Sequence, residues 1–277
     1  MDEQEFIASI RQGRYVVAAV LLGVLWTVET VAPMFLGRAR RVTHGASNLL
    51  LAALNAGVSY FFAFGIVAVI EWSRVREFGL LRWLELPVVP NWIVALLLFD
   101  CWQYWWHRAN HRVALFWRFH AVHHSDADLD VSSGMRFHTG EITLSFLARL
   151  VIVPLLGITL PQLLLYEAIA LPIILFHHSN VRIPGGVDRG LRWLIVTPWM
   201  HYVHHSRWQP ETDSNYSSLL SLWDRLFGSF RLRDDPAAIE LGLDDWDERE
   251  WRRFPGMLAA PFRRRGSASR TRSTESE

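Results

Sequence analysis

Of the 277 residues in this chain, 51% are hydrophobic and 14 are tryptophan, a composition suited to a bilayer protein with interfacial aromatic belts. A net charge of +1, with basic residues spread over many loops, implies no nucleic-acid partner. The single cysteine, Cys101, excludes an internal disulfide and thiolate-cluster metal chemistry.

In chain order, residues 1–14 form a short polar lead-in to a first apolar stretch, about Tyr15 to Leu36. That stretch is long enough to cross about 30 Å of hydrocarbon and runs into an arginine cluster, so it reads as a retained membrane anchor rather than a cleaved signal. Glu29 inside it is costly in lipid and should face protein or the interface. A second span, about Ala46 to Ile70, contains no charge, and His44 just before it reads as interfacial. Glu71 to Pro90 is a mixed connection with three arginines and two prolines. Trp92 to Trp106 is apolar except for Asp100 and Gln103 and delivers the chain into a histidine box. A further apolar region, about Ile142 to Phe176, is broken by Pro154, Gly157, Pro161 and Pro172 and reads as a helical hairpin that spans or dips into the bilayer. From Asp234 to Phe262 the chain is charged, with Trp246, Trp251 and Phe254 available to pack on a cap. Residues 263–277 lack core-forming residues and read as a disordered basic tail.

The expected fold is therefore all-α: a polytopic membrane protein of about four transmembrane or re-entrant helices with a cytosolic helical cap. Residues 1–89 form the two-span anchor and residues 90–262 the functional domain. Arginines flank nearly every apolar segment, so charge bias does not settle the orientation, although their weight after Arg182 favours a cytoplasmic C-terminal half.

Eight of the 12 histidines fall into three boxes, His107-x-x-x-His111, His120-x-x-His123-His124 and His201-x-x-His204-His205. On a helix, i, i+3 and i+4 positions share a face, so each box aims two or three imidazoles at one point. Neutral imidazole binds zinc, iron, copper and nickel, and eight ligands exceed the four of a structural zinc site. Two metal ions are the natural reading, with oxygen chemistry favoured by the all-imidazole ligand set. A membrane metal-binding or transport protein without oxygenase activity is the alternative, although transport sites usually lie within spans whereas these boxes follow them.

The boxes, together with His178-Ser-Asn180, Asp100-Cys-Trp-Gln-Tyr-Trp-Trp-His, Thr197-Pro-Trp-Met-His and Asn215-Tyr followed by Leu222-Trp-Asp-Arg-Leu-Phe-Gly, resemble the fatty acid hydroxylase superfamily, which includes the sterol desaturases. The resemblance covers about residues 90–262. It implies a non-haem di-iron centre that uses O2 and electrons from a separate donor, such as a ferredoxin, cytochrome or reductase, to hydroxylate or desaturate a membrane lipid. It implies a multi-pass protein of a bacterial cytoplasmic or endoplasmic reticulum membrane, with the site facing the cytoplasm. Carried over position by position, the implied ligands are His107, His111, His120, His123, His124, His178, His201, His204 and His205. Some relatives place another histidine four residues before His178, where this chain has Ile174. His138 is a candidate replacement, with Glu141 orienting it. His177, Asn180 and Asn215 are candidates for the surrounding shell, and Asp100 either holds a box histidine or packs helices.

Overall fold

The computed structural model describes residues 3–36, 40–244 and 251–263. The expected tail, apart from Arg263, and Trp246 lie outside the described residues. Helices account for all regular structure among them, with three isolated β-bridges and no strand.

Helix α1 spans Glu3–Val31 and α2 spans Arg41–Val75. The polar lead-in is thus the first turns of α1, and the helix stops before Pro33 rather than reaching Leu36, as expected where proline ends a helical run. The short α3, Leu80–Trp83, leads to α4, Val88–Arg112. Then come α5, Ala114–His124, and a 3-10 turn, Val131–Met135. The hairpin follows as α6, Thr139–Leu156, and α7, Leu160–His178. The cap is built from α8, Gly185–Leu191, α9, Pro198–His204, α10, Gln209–Thr212, and α11, Leu222–Leu226. A last short helix, α12, covers Phe254–Ala259.

Four of these, α1, α2, α6 and α7, are long and apolar enough to cross a membrane. Side chains that water would penalise, such as Val20, Val24, Leu50, Phe61, Phe64 and Val151, point outward from them, as a lipid solvent allows. The hairpin turns where its sequence dictates. Gly157 takes φ 73° at the end of α6, and its backbone lies so close to Gly79 that a side chain at Gly79 would collide with it. Thr159 and Gln162 then form a capping box that starts α7.

All four helices present one end to the boxes: the C-termini of α1 and α7 and the N-termini of α2 and α6. The main apolar core joins α2, α4, α6 and α7 through Ile66, Phe99, Val153, Leu163 and Tyr166. Two of the smaller cores join elements beside the boxes. Leu51, Val122 and Met257 clamp α2 to α5 and α12, and Trp251 and Phe254 pack against this cluster rather than on the cap of α8–α11. Leu25, Val131 and Leu175 join α1 to α7.

His44 is not interfacial. It is buried, with Nε2 2.9 Å from Asp126 and Nδ1 3.1 Å from Asp130. Neither partner is visible from its local sequence, since both lie more than 80 residues away. Burial opposes the charge, yet His44 and Arg136 beside it hold the Asp126 carboxyl well below the usual carboxylate range. Glu29 faces protein as expected, accepting from the backbone amides of Val131 and Asn180 and from Arg41.

Candidate metal centre

Each box sits where a helix ends. His107 and His111 occupy the last turns of α4, His120, His123 and His124 the last turns of α5, and His178 the final position of α7. Thr197 caps α9 and Pro198 opens it, which projects His201, His204 and the following His205 from one short helix.

The nine histidines separate into two groups. His107, His111, His120, His124 and His204 form one, and His123, His178, His201 and His205 the other. Within each group the ligand atoms all lie within 4.8 Å of one another. The groups share a wall, with the His124 ring stacked on His205 at 4.5 Å.

The hydrogen bonds behind the rings fix what the front atoms are. Nδ1 of His107 donates to the Tyr216 carbonyl at 2.8 Å, that of His204 to Ser214 at 2.7 Å, and that of His178 to Ile174 at 2.7 Å. His123 Nδ1 lies 3.2 Å from the Arg136 carbonyl, and His120 Nδ1 2.8 Å from a Glu141 carboxylate oxygen. A carbonyl or an ionised carboxylate can only accept, so the proton is on Nδ1, and in the neutral ring Nε2 keeps its lone pair. Yet these lone pairs face each other: His107 and His120 Nε2 are 3.2 Å apart, and His123 and His178 Nε2 are 3.1 Å apart. Two acceptors at that distance repel unless a cation lies between them. Two bonds of about 2.1 Å at right angles would set their ends about 3.0 Å apart, which matches this spacing. His204 Nε2 and both nitrogens of His111 are buried with no hydrogen-bond partner, consistent with the same donor set.

Electrostatics favour the ligating form. Burial and the neighbouring imidazoles push His107, His111, His123, His124, His201 and His205 well below the ordinary histidine range, and burial brings His204 down to about 3. Neutral rings need lose no proton before a metal binds.

The remaining candidates fall outside both groups. His138 caps α6, accepting from the Gly140 amide at Nδ1, while its Nε2 lies 3.2 Å from the Leu258 carbonyl. Glu141 turns to His120 instead of orienting His138. His177 packs its ring on His201 at 4.1 Å. Asn180 pairs with the backbone of Phe35. Asn215, at φ 50°, ties Met200 to Arg231, and this bend turns the carbonyls of its two neighbours, Ser214 and Tyr216, toward His204 and His107. Asp224 holds the same loop through the amides of Tyr216 and Ser217. Asn215 thus belongs to the surrounding shell through its neighbours, and the part of Asp224 has no sequence signal because the atoms that meet the histidines are backbone carbonyls.

Asp100 holds no histidine. It accepts from Tyr166 Oη and Trp223 Nε1, each at 2.7 Å, and from the Leu220 amide at 3.2 Å, so it packs α4 against α7 and the cap. Asp100→Ala would strand three buried donors. It is expected to cost about 3 kcal/mol of stability, read as a lower unfolding temperature, with full metal content at saturating metal.

These features define a helical, membrane-embedded histidine-box protein with two adjoining imidazole clusters. Residues 92–229 match the fatty acid hydroxylase family, and the chain belongs to it. Over 214 residues it is 31% identical to the ornithine lipid hydroxylase of Rhizobium tropici, covering 77% of this chain and 62% of that one. It is 32% identical over 175 residues to human alkylglycerol monooxygenase, covering 61% and 36%, and 25% identical over 174 residues to human cholesterol 25-hydroxylase, covering 62% of each. The chain thus spans about three fifths of the bacterial relative and about a third of the human monooxygenase. No solved structure matches it.

Proposed function

We propose that the protein is an O2-dependent di-iron lipid hydroxylase. One iron is held by His107, His111, His120, His124 and His204, and the other by His123, His178, His201 and His205. The observation that carries this reading is the facing of proton-free Nε2 atoms at 3.1–3.2 Å in both groups. Zinc would saturate at four ligands, whereas the five-histidine group suits an ion of higher coordination number. The relatives are named for hydroxylating or oxygenating lipids, so a membrane lipid is the substrate class and insertion of a hydroxyl the reaction. Bound iron would supply O2 activation, with electrons from a separate donor protein.

The chain's own residues then bind, orient and exclude water. Backbone carbonyls and Glu141 fix the ring tautomers, which raises ligand basicity and keeps each Nε2 aimed inward. The four apolar helices shield the site and give a lipid access from the bilayer. Residues 1–89 act as an anchor that also contributes Glu29, His44 and Asn48 beneath the boxes of the catalytic region, 90–262. In this reading the site faces the cytoplasm, which the arginine-rich C-terminal half supports.

The test is metal content and Mössbauer spectroscopy of protein produced with ample iron in detergent, followed by O2 consumption with a lipid panel. Two coupled irons per chain and lipid-dependent O2 uptake are expected. A single zinc in iron-replete protein, or O2 uptake indifferent to lipid and reductant, would favour a metal-binding or transport role.

A further inference from the structure

Among the nine histidines only His107 and His111 are not fully buried as residues, His111 through its backbone, so the end of α4 is where the chain around the centre meets the surface. Outside His111 lies a depression of about 380 Å³ between the α4–α5 junction and the 260–263 segment. Its rim carries Arg112, Arg118 and Arg263, all exposed, and its lining contains no acidic residue. Asp213 is the nearby acid, 3.5 Å from His111 Nδ1 and beside Arg112. Arg118 donates to the Pro261 carbonyl, and Arg263 lies over Trp251 at 5.7 Å, so both guanidinium groups are held in place at the rim.

The floor is a wall rather than a door. The His111 side chain has no solvent exposure, and Trp117, also lining the depression, covers it with ring centroids 5.1 Å apart and reaches His124 at 5.4 Å. A lipid carbon cannot pass such a wall, but an electron needs no opening. The position also lies level with the end of the α7 span. Arg112 lies 12 residues beyond Asp100, about 18 Å along α4, and Asp100 is bonded to Tyr166, itself 12 residues short of the end of α7. Val113, Leu115 and Phe262 are exposed around the rim and supply apolar contact to a docked surface.

We propose that this arginine-rimmed depression docks an acidic one-electron carrier protein and that Trp117 and His111 form the electron's entry path. The inference rests on the reading of the clusters as a redox-active iron site. Each encounter oxidises the carrier by one electron and reduces the iron pair by one. Two encounters and two protons from solvent supply what O2 and a C–H bond lack to give an alcohol and water.

The experiment uses the full chain in nanodiscs of neutral phosphatidylcholine, iron-loaded, with a plant-type ferredoxin as the acidic probe. Binding is followed by biolayer interferometry and ferredoxin oxidation by stopped flow, at low and high salt. Charge reversal by Arg118→Glu with Arg263→Glu is expected to weaken binding on the order of tenfold or more at low salt and to flatten the salt dependence. Arg118→Lys with Arg263→Lys should retain most of the affinity, and Arg189→Glu on α8 should bind as wild type. Equal binding by wild type and the charge-reversed protein overturns the proposal. So does unchanged ferredoxin binding accompanied by lost binding to phosphatidylglycerol vesicles, which would make the depression a lipid-headgroup seat. Reduction by dithionite separates the two readings: if it reduces all variants alike while ferredoxin binding is indifferent to charge, the docking site fails and the iron site stands.

Discussion

Replacing His178 with alanine is expected to lower the iron content of the purified protein from two to about one per chain and to abolish detectable lipid hydroxylation. His178 is the only histidine that α7 contributes to either group, and its Nε2 lies 3.1 Å from that of His123 and 2.9 Å from that of His201. Its removal leaves three imidazoles for the second ion, while all five of the first group remain. Loss of an outer hydrogen-bond partner typically costs 10–100-fold in metal affinity, and loss of a ligand should cost more than about 100-fold. Elemental analysis would give the stoichiometry, and the Mössbauer spectrum should change from that of a coupled pair to that of an isolated ion. Retention of two coupled irons in His178→Ala would remove His178 from the ligand set. A variant that loses both irons but inserts and unfolds as wild type would show that the sites fill together.

Much of this arrangement is legible in the sequence because it follows from period and punctuation. The box spacings put their imidazoles on one helical face, and the proline and glycine breaks after Val153 place the α6–α7 turn where Gly157 makes it. The division of the histidines between two ions is not legible. His204 joins the α4 and α5 histidines while His201 and His205, on the same short helix, join His178. That partition depends on how α9 crosses α7, a tertiary fact. The partners of the rings are hidden for a different reason. Tyr216, Ser214, Arg136 and Ile174 each act through a backbone carbonyl, which every residue type carries. Long-range charge pairing accounts for the rest: His44 looks interfacial beside its span until α2 brings it between Asp126 and Asp130. Glu141 lies three residues from His138 in sequence and nevertheless serves His120.

Arg136 shows how far the support of the boxes extends beyond the histidines. It is 1% exposed, and its guanidinium reaches four acceptors on three separate parts of the chain. Nε donates to the Val122 carbonyl at 3.0 Å, Nη1 to Asn48 Oδ1 at 3.2 Å, and Nη2 to Ser125 Oγ at 3.1 Å and the Trp251 carbonyl at 2.9 Å. Val122 and Ser125 belong to the end of α5, where a cation also complements the helix dipole. The residue's own carbonyl is the partner of His123 Nδ1, so one residue braces the second box from its side chain and from its backbone. Arg136→Ala would leave buried acceptors stranded and remove the cation that, with His44, balances Asp126. Breaking a buried charge network in this way costs about 3–5 kcal/mol, enough to consume much of an ordinary domain's stability. The expected result is a protein that inserts but unfolds at a markedly lower temperature and retains iron weakly. Arg136→Lys keeps the charge but cannot present a planar fork to four acceptors, and should recover only part of the loss. If Arg136→Ala unfolded within about 1 kcal/mol of wild type, a difference typical of an unremarkable site, the network would be shown to be dispensable. The second box would then owe its geometry to the packing of Leu51, Val122 and Met257 around it.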